Sequence, residues 1–191
     1  MRIAVVNNGK GPLKRLTKLL HGNDVEIFTY AKADTIIPDN FNLLILSGSS
    51  HLSAIYDQNK IKDELELIQR STVPLLGICF GAELVTLAFG GTLKDNGPEN
   101  KVSGGLEVEV LVDDSIFNGR KCFFAYDAHR WVIEQPGPEL EVLARSAHGP
   151  EVIRHKSRPI YGFQFHPEKM PDETYGDELY ASFVSMYTTS L

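Results

Sequence analysis

Short unbroken apolar runs alternate with helical periodicity through the first half of the chain. Residues 3–6 form an apolar run bounded by Asn7-Asn8-Gly9, and Leu13, Leu16, Leu19 and Leu20 then recur at helical spacing, with Gly22 placed to end the helix. Residues 25–28 and 43–46 read as second and third strands, the latter running into Ser47-Gly48-Ser49-Ser50. Over 60–70, Ile61, Leu65 and Ile68 keep one helical face apolar, while Lys62, Asp63, Glu66 and Gln69 take the other. Pro74 opens a further strand that ends at Cys79, and residues 82–89 are apolar enough for a packed helix. Continuous rather than alternating strands imply burial on both faces, as in a parallel sheet covered by helices.

The pattern changes after Gly90-Gly91. Residues 106–112 alternate as in a strand with one wet face, and residues 121–125, 141–144, 151–154 and 159–165 supply further strands, the last ending at His166-Pro167-Glu168. A closing helix over 176–187 would bury Leu179, Phe183, Val184 and Tyr187. There is no repeat and no linker. Together these predict one three-layer α/β domain over residues 1–191, built on a mixed, mostly parallel central sheet.

Composition narrows the function more than the fold. The 191 residues carry a formal net charge of -6, which argues against general affinity for nucleic acid or anionic lipid and favours a small or neutral partner. The two cysteines, Cys79 and Cys122, are too few for a disulfide framework and lack metal-ligand spacing, so a reducing cytoplasm and no bound metal are expected. The first residues enter a strand pattern without the features of a signal peptide, and no apolar run is long enough to suggest a membrane span.

Candidate chemistry centres on Gly77-Ile78-Cys79-Phe80-Gly81. A strand that ends at Gly-x-Cys-x-Gly and turns directly into a helix has the layout of a nucleophile elbow, in which flanking glycines let the backbone close around one projecting side chain. The helix start offers its positive end and unpaired N–H groups to the sulfur. A nearby imidazole would take the thiol proton and return it to the leaving group. His166 suits that role at the carboxyl end of an apolar strand, and Glu168 can turn back to orient it. Cys122, without flanking glycines, is expected in the core. His21, His51, His148 and His155 are expected to be solvated or structural.

Gly77-Ile78-Cys79-Phe80-Gly81 together with Gln164-Phe165-His166-Pro167-Glu168 resembles the class I, triad-type glutamine amidotransferases, over nearly the whole chain. Within that family the residues leading from His155 to the His-Pro-Glu, and Tyr175-Gly176-Asp177 after it, are most similar to the separate glutaminase subunits of archaeal-type GMP synthase. The resemblance implies a flavodoxin-like fold and hydrolysis of L-glutamine through Cys79, His166 and Glu168, with no cofactor in this chain. It implies oxyanion donors at the backbone of Phe80 and of Ser49 after Gly48. It also implies a partner, a separate ATP-pyrophosphatase subunit that uses ATP and Mg²⁺ and captures the ammonia to convert XMP to GMP. Other amidotransferase glutaminases of the anthranilate or aminodeoxychorismate type, a stand-alone γ-glutamyl hydrolase, and a weakly active regulatory or binding module are the alternatives.

Three positions depart from the family pattern. Ser49 replaces a glycine in the loop that must present an N–H to the oxyanion. Glu83 stands where a substrate-contacting Gln is usual; ionised, it could accept from the substrate ammonium but would raise the Cys79 thiol. Trp131 replaces an Asp two places after His129, a histidine expected either to contact substrate or partner or to bond backbone. Residues 126–131 are expected to form an exposed segment at which a partner docks.

Overall fold

β1 (Arg2–Asn7), β3 (Leu43–Leu46) and β4 (Leu75–Ile78) are apolar on both sides because helices cover both faces of the sheet they build. In the computed structural model, which describes residues 1–11 and 13–188 of the chain and the backbone alone at 188, Ile3, Val5, Leu43 and Ile45 pack on one face with Leu16 and Leu20 around α1 (Lys14–Leu19) and with Leu179 and Phe183 of α4 (Gly176–Thr188). The alternate residues Ala4, Val6, Leu44 and Leu46 pack on the other face with Ile61, Leu67 and Ile68 of α2 (Gln58–Arg70) and Leu84 and Val85 of α3 (Phe80–Ala88). Period-two alternation between two separate cores is what makes the domain three-layered.

The other strands are β2 (Asp24–Thr29), β5 (Thr92–Asp95), β6 (Val102–Val110), β7 (Cys122–His129), β8 (Trp131–Gln135), β9 (Leu140–Ser146), β10 (Gly149–His155) and β11 (Ile160–Phe163). Nine strands form one sheet in the order β2-β1-β3-β4-β11-β10-β9-β6-β7. The first five run parallel, in the spatial order of flavodoxin-like folds, and the pairs from β11 outward to β7 are antiparallel. The α/β class and the single mixed sheet agree with the expectation. β3, β4 and β11 are neighbours although 114 residues separate Leu46 from Ile160. Their carboxyl ends therefore open onto one place.

Three local expectations change. Cys122 is exposed, not core: β7 is the edge strand, it alternates between a wet and a dry face, and Cys122 begins it on the wet one. Residues 126–131 are no exposed loop, since β7 runs on to His129 and buries Asp127 and His129. A separate two-stranded ribbon, β5 with β8, was not evident in the pattern. Among the described residues no helix is long and apolar enough to cross a membrane.

On α2 the buried stripe is Ile61, Glu64, Leu67 and Ile68, so a carboxyl lies inside the apolar face. Asn8, at the end of β1, explains its presence. Asn8 Nδ2 donates to Glu64 Oε1 at 3.1 Å and to the Ser47 carbonyl at 3.0 Å, while Asn8 N–H donates to Ser47 Oγ at 2.9 Å. The chain from α2 through Asn8 thus anchors the loop after β3. Burial pushes the Glu64 carboxyl up to about 8, only partly offset by the Asn8 bond. Because the folded state holds this proton above the unfolded value of 4.5, stability is full below that pH and falls as pH rises through 8. Glu64→Gln should remove one proton's share of that loss, at most about 1.4 kcal/mol per pH unit. Denaturant titrations from pH 4 to 9 should show the variant gaining on the wild-type protein as pH rises; parallel curves would refute the assignment.

Candidate active site

The turn between β4 and α3 is sterically extreme. Cys79 has φ 51° and ψ -104°, a conformation that costs a residue with a side chain about 1–3 kcal/mol and persists only where its surroundings impose it. Two glycines impose it. A Cβ at Gly77 would lie 2.3 Å from the Gly81 carbonyl oxygen, and one at Gly81 would lie 2.3 Å from the Leu46 carbonyl oxygen, so strand, helix and the neighbouring β3 approach closer than any side chain permits. Cys79 N–H donates to the Phe163 carbonyl at 2.7 Å, and the Cys79 carbonyl accepts from the N–H of Ala82 and Glu83 at 2.9 and 3.0 Å. The nucleophile elbow expected from the glycine spacing is therefore present.

His166 and Glu168 follow β11, beside β4. His166 N–H donates to the Tyr126 carbonyl at 2.9 Å, and its Nδ1 lies 2.8 Å from Glu168 Oε1. Burial raises the Glu168 carboxyl, yet the hydrogen bond and charge of His166 outweigh it, and the group lies below its usual range. Ionised Glu168 thus accepts from Nδ1–H, leaving Nε2 for chemistry. Gly48 packs between His166 and the nucleophile: a Cβ there would sit 3.0 Å from His166 Cε1 and 3.5 Å from Cys79 Cβ.

All eight expected site residues, Gly48, Ser49, Cys79, Phe80, Glu83, His129, His166 and Glu168, line one cleft of about 610 Å³. Ser49 Oγ accepts from the N–H groups of His51 and Leu52 at 3.2 and 3.0 Å, so the serine at the family's glycine position supplies a side-chain clamp for its own loop. Both ring nitrogens of His129 are engaged within the protein, Nδ1 with the Trp131 carbonyl at 2.8 Å and Nε2 with Asp127 Oδ2 at 3.0 Å. Trp131 stacks edge-on with Tyr56 at the rim, their ring centroids 5.6 Å apart.

Electrostatics in the cleft are dominated by acids. Burial, then the charges of Glu83 and Asp127, push the Cys79 thiol well above its usual range, against a favourable hydrogen bond from Phe80 N–H. Burial pushes Glu83 itself up to about 8, with the Gln164 side chain favouring the ionised form. At neutral pH Glu83 is therefore mainly protonated and can donate as a glutamine amide does, which the expectation of an ionised side chain did not include. Asp127, Glu151 and Gln164 were also missed as neighbours of the site. A hidden strand continuation carries Asp127, and no local motif marks Glu151.

An elbow thiol, an imidazole and an orienting carboxylate along adjacent parallel strands define a hydrolase or transferase site of the acyl-enzyme type. Comparison with known proteins gives the family: residues 4–186 match the class I glutamine amidotransferases, and the chain belongs to that family. It is 33% identical over 190 residues to one of the two-part, glutamine-hydrolyzing GMP synthase subunits, that of Pyrococcus abyssi, covering 96% of this chain and 97% of that one. A glutamine-hydrolyzing GMP synthase of Francisella philomiragia is 33% identical over 162 residues, 83% of this chain but 30% of the longer relative. A crystal structure from Thermoplasma acidophilum, provisionally assigned to the same GMP synthase subunit, superposes with a TM-score of 0.86 at 27% identity, covering 99% of this chain and 94% of that one.

Two outcomes test the site. Gly48→Ala places a methyl group against His166 and should lower kcat on the order of a hundredfold with folding retained, read as ammonia release and circular dichroism. Near-normal turnover would show that the His166 position is not set there. Ionisation of Glu83 through about pH 8 removes its donor and adds a charge beside Cys79, so wild-type kcat/KM should fall above pH 8. Glu83→Gln should keep activity there; superimposable profiles would exclude this role.

Proposed function

We propose that this chain hydrolyses L-glutamine to glutamate and ammonia through Cys79, His166 and Glu168, as the glutaminase component of a GMP synthase. The observation that carries the reading is the elbow cysteine facing an imidazole whose far nitrogen is held by a buried carboxylate, in a member of the glutamine amidotransferase family.

The resting nucleophile is a thiol, because burial and neighbouring acids hold its proton on. His166 Nε2 takes that proton as the sulfur attacks the side-chain amide carbon, and the carbonyl π pair moves to oxygen. The N–H groups of Phe80 and Ser49 receive the oxyanion, and removing one such donor typically costs about a hundredfold or more. As the tetrahedral adduct collapses, the C–N bond breaks and His166 hands its proton to the departing nitrogen, leaving a γ-glutamyl thioester and ammonia. Water, deprotonated by the same imidazole, then attacks the thioester, and the sulfur leaves to recover its proton. Glu168 stays ionised throughout and stabilises the imidazolium. Glu83, protonated, and Gly48 shape the pocket around the amino-acid end of the substrate.

The ammonia is used by another chain. The P. abyssi relative, matched over nearly its full length, is by name one subunit of an enzyme, and the single-chain relative is several times longer than the region it shares with this one. We assign the acceptor to a separate ATP-pyrophosphatase subunit that activates XMP and takes the ammonia to form GMP, with docking near the rim formed by Tyr56 and Trp131. Cys79→Ala should reduce ammonia release from glutamine at least about a thousandfold, and the wild-type rate should rise when the pyrophosphatase subunit with ATP and XMP is added. Turnover insensitive to the substitution would eliminate the nucleophile; a rate unmoved by the partner would eliminate the assembly.

A further inference from the structure

Asp127 on β7 is fully buried, Glu151 on β10 is 1% exposed and His129 is 3% exposed, and one donor or acceptor atom from each falls within 4.8 Å of the others. None of the three is part of the triad, yet His129 lines the cleft and the Asp127 charge is felt at Cys79. Two carboxyl groups and an imidazole enclosed in a protein core need a complete hydrogen-bond plan.

The partners dictate that plan almost completely. Ser146 Oγ donates to Glu151 Oε1 at 2.6 Å, leaving Glu151 Oε2. His129 Nε2 takes Asp127 Oδ2 at 3.0 Å, leaving Asp127 Oδ1. These two leftover oxygens are buried without partners among the described residues when both acids are treated as ionised. A hydrogen bond nonetheless joins the two side chains, and two carboxylates can make one only by sharing a proton. At the other end, His129 Nδ1 faces the Trp131 carbonyl, which can only accept, so Nδ1 carries hydrogen. An ionised Asp127 then accepts from Glu151 on one oxygen and from His129 Nε2–H on the other. The ring, with two N–H groups, is a cation balancing the Asp127 charge. Burial and Asp127 push the Glu151 carboxyl well above the usual carboxylate range, as a proton holder requires.

We propose that Ser146, Glu151, Asp127 and His129 form one proton-sharing chain that fixes the corner from Ala128 to Trp131 as a wall of the glutamine pocket, with Glu151 and Asp127 as positioning residues. The corner needs such an anchor. β7 ends there, and the backbone leaves the nine-stranded sheet to pair with β5 as β8. From outside it is tied by Arg130 Nε to Asp95 Oδ1 at 2.5 Å; from inside its tie is the chain ending on the Trp131 carbonyl. Because both His129 nitrogens are used by the protein, the wall acts through shape and position rather than by a hydrogen bond to substrate.

This inference rests on the glutaminase reading for its kinetic arm and is independent of it for its spectroscopic arm. Glu151→Gln keeps the geometry, since its amide can donate to Asp127 and accept from Ser146, whereas Glu151→Leu breaks the chain. The infrared carbonyl band of a protonated carboxyl at pH 7 should lose one group's intensity in Glu151→Gln relative to wild type. The KM for glutamine should rise about tenfold in Glu151→Leu, with kcat within about twofold, and should be restored in Glu151→Gln. Absence of an infrared difference, or a stoichiometric divalent metal in the purified protein, would overturn the shared proton. An unchanged KM in folded Glu151→Leu, or a kcat loss without a KM change, would overturn the positioning role. Should Glu151→Leu fail to fold, the infrared comparison on the isosteric variant still decides.

Discussion

Close backbone contact at the elbow is the constraint from which the site follows. Gly81 meets the Leu46 carbonyl and Gly77 meets Gly81 at distances that leave no space for a Cβ, so β3, β4 and the start of α3 are drawn into direct main-chain contact. Cys79 takes the left-handed conformation because the strand must become a helix within one residue. The same contact brings the loop after β3 against the sulfur, and Gly48 fills the narrow gap between nucleophile and base. Strain at one residue is offset by two buried cores on opposite faces of the sheet.

Around that turn the protein has placed acids rather than bases. Glu83, Asp127 and Glu168 all raise the Cys79 thiol, and burial acts in the same direction. A site of this kind does not store a thiolate. It generates one when the imidazole accepts the proton during attack, which limits side reactions of a resting sulfur. The acids are tolerated because each is handled differently: Glu168 is ionised against His166, Glu83 keeps its proton through burial, and Glu151 is the proton holder of its own buried network.

Polar groups also do the mechanical work of holding loops that carry no regular structure. Asn8 and Glu64 grip Ser47 from behind the sheet, and Ser49 clamps the N–H groups that follow it. A serine at this position trades the freedom of glycine for a fixed loop.

The sequence alone determined what depends on near neighbours in the chain. Apolar runs of four residues bounded by turn residues located β1, β3 and β4, and Gly-x-Cys-x-Gly located the elbow, because sterics at a tight turn act over two or three residues. His166 with Glu168 was legible for the same reason, their contact spanning a single proline. What only the tertiary structure decided depends on which distant segments meet. It set β3 and β4 beside β11, turned Cys122 to solvent on an edge strand, and carried β7 on to bury Asp127 opposite Glu151. It also decided the protonation of Glu64 and Glu83, because the cost of ionising a carboxyl is fixed by the water removed from around it, and that follows from packing rather than from the residues on either side.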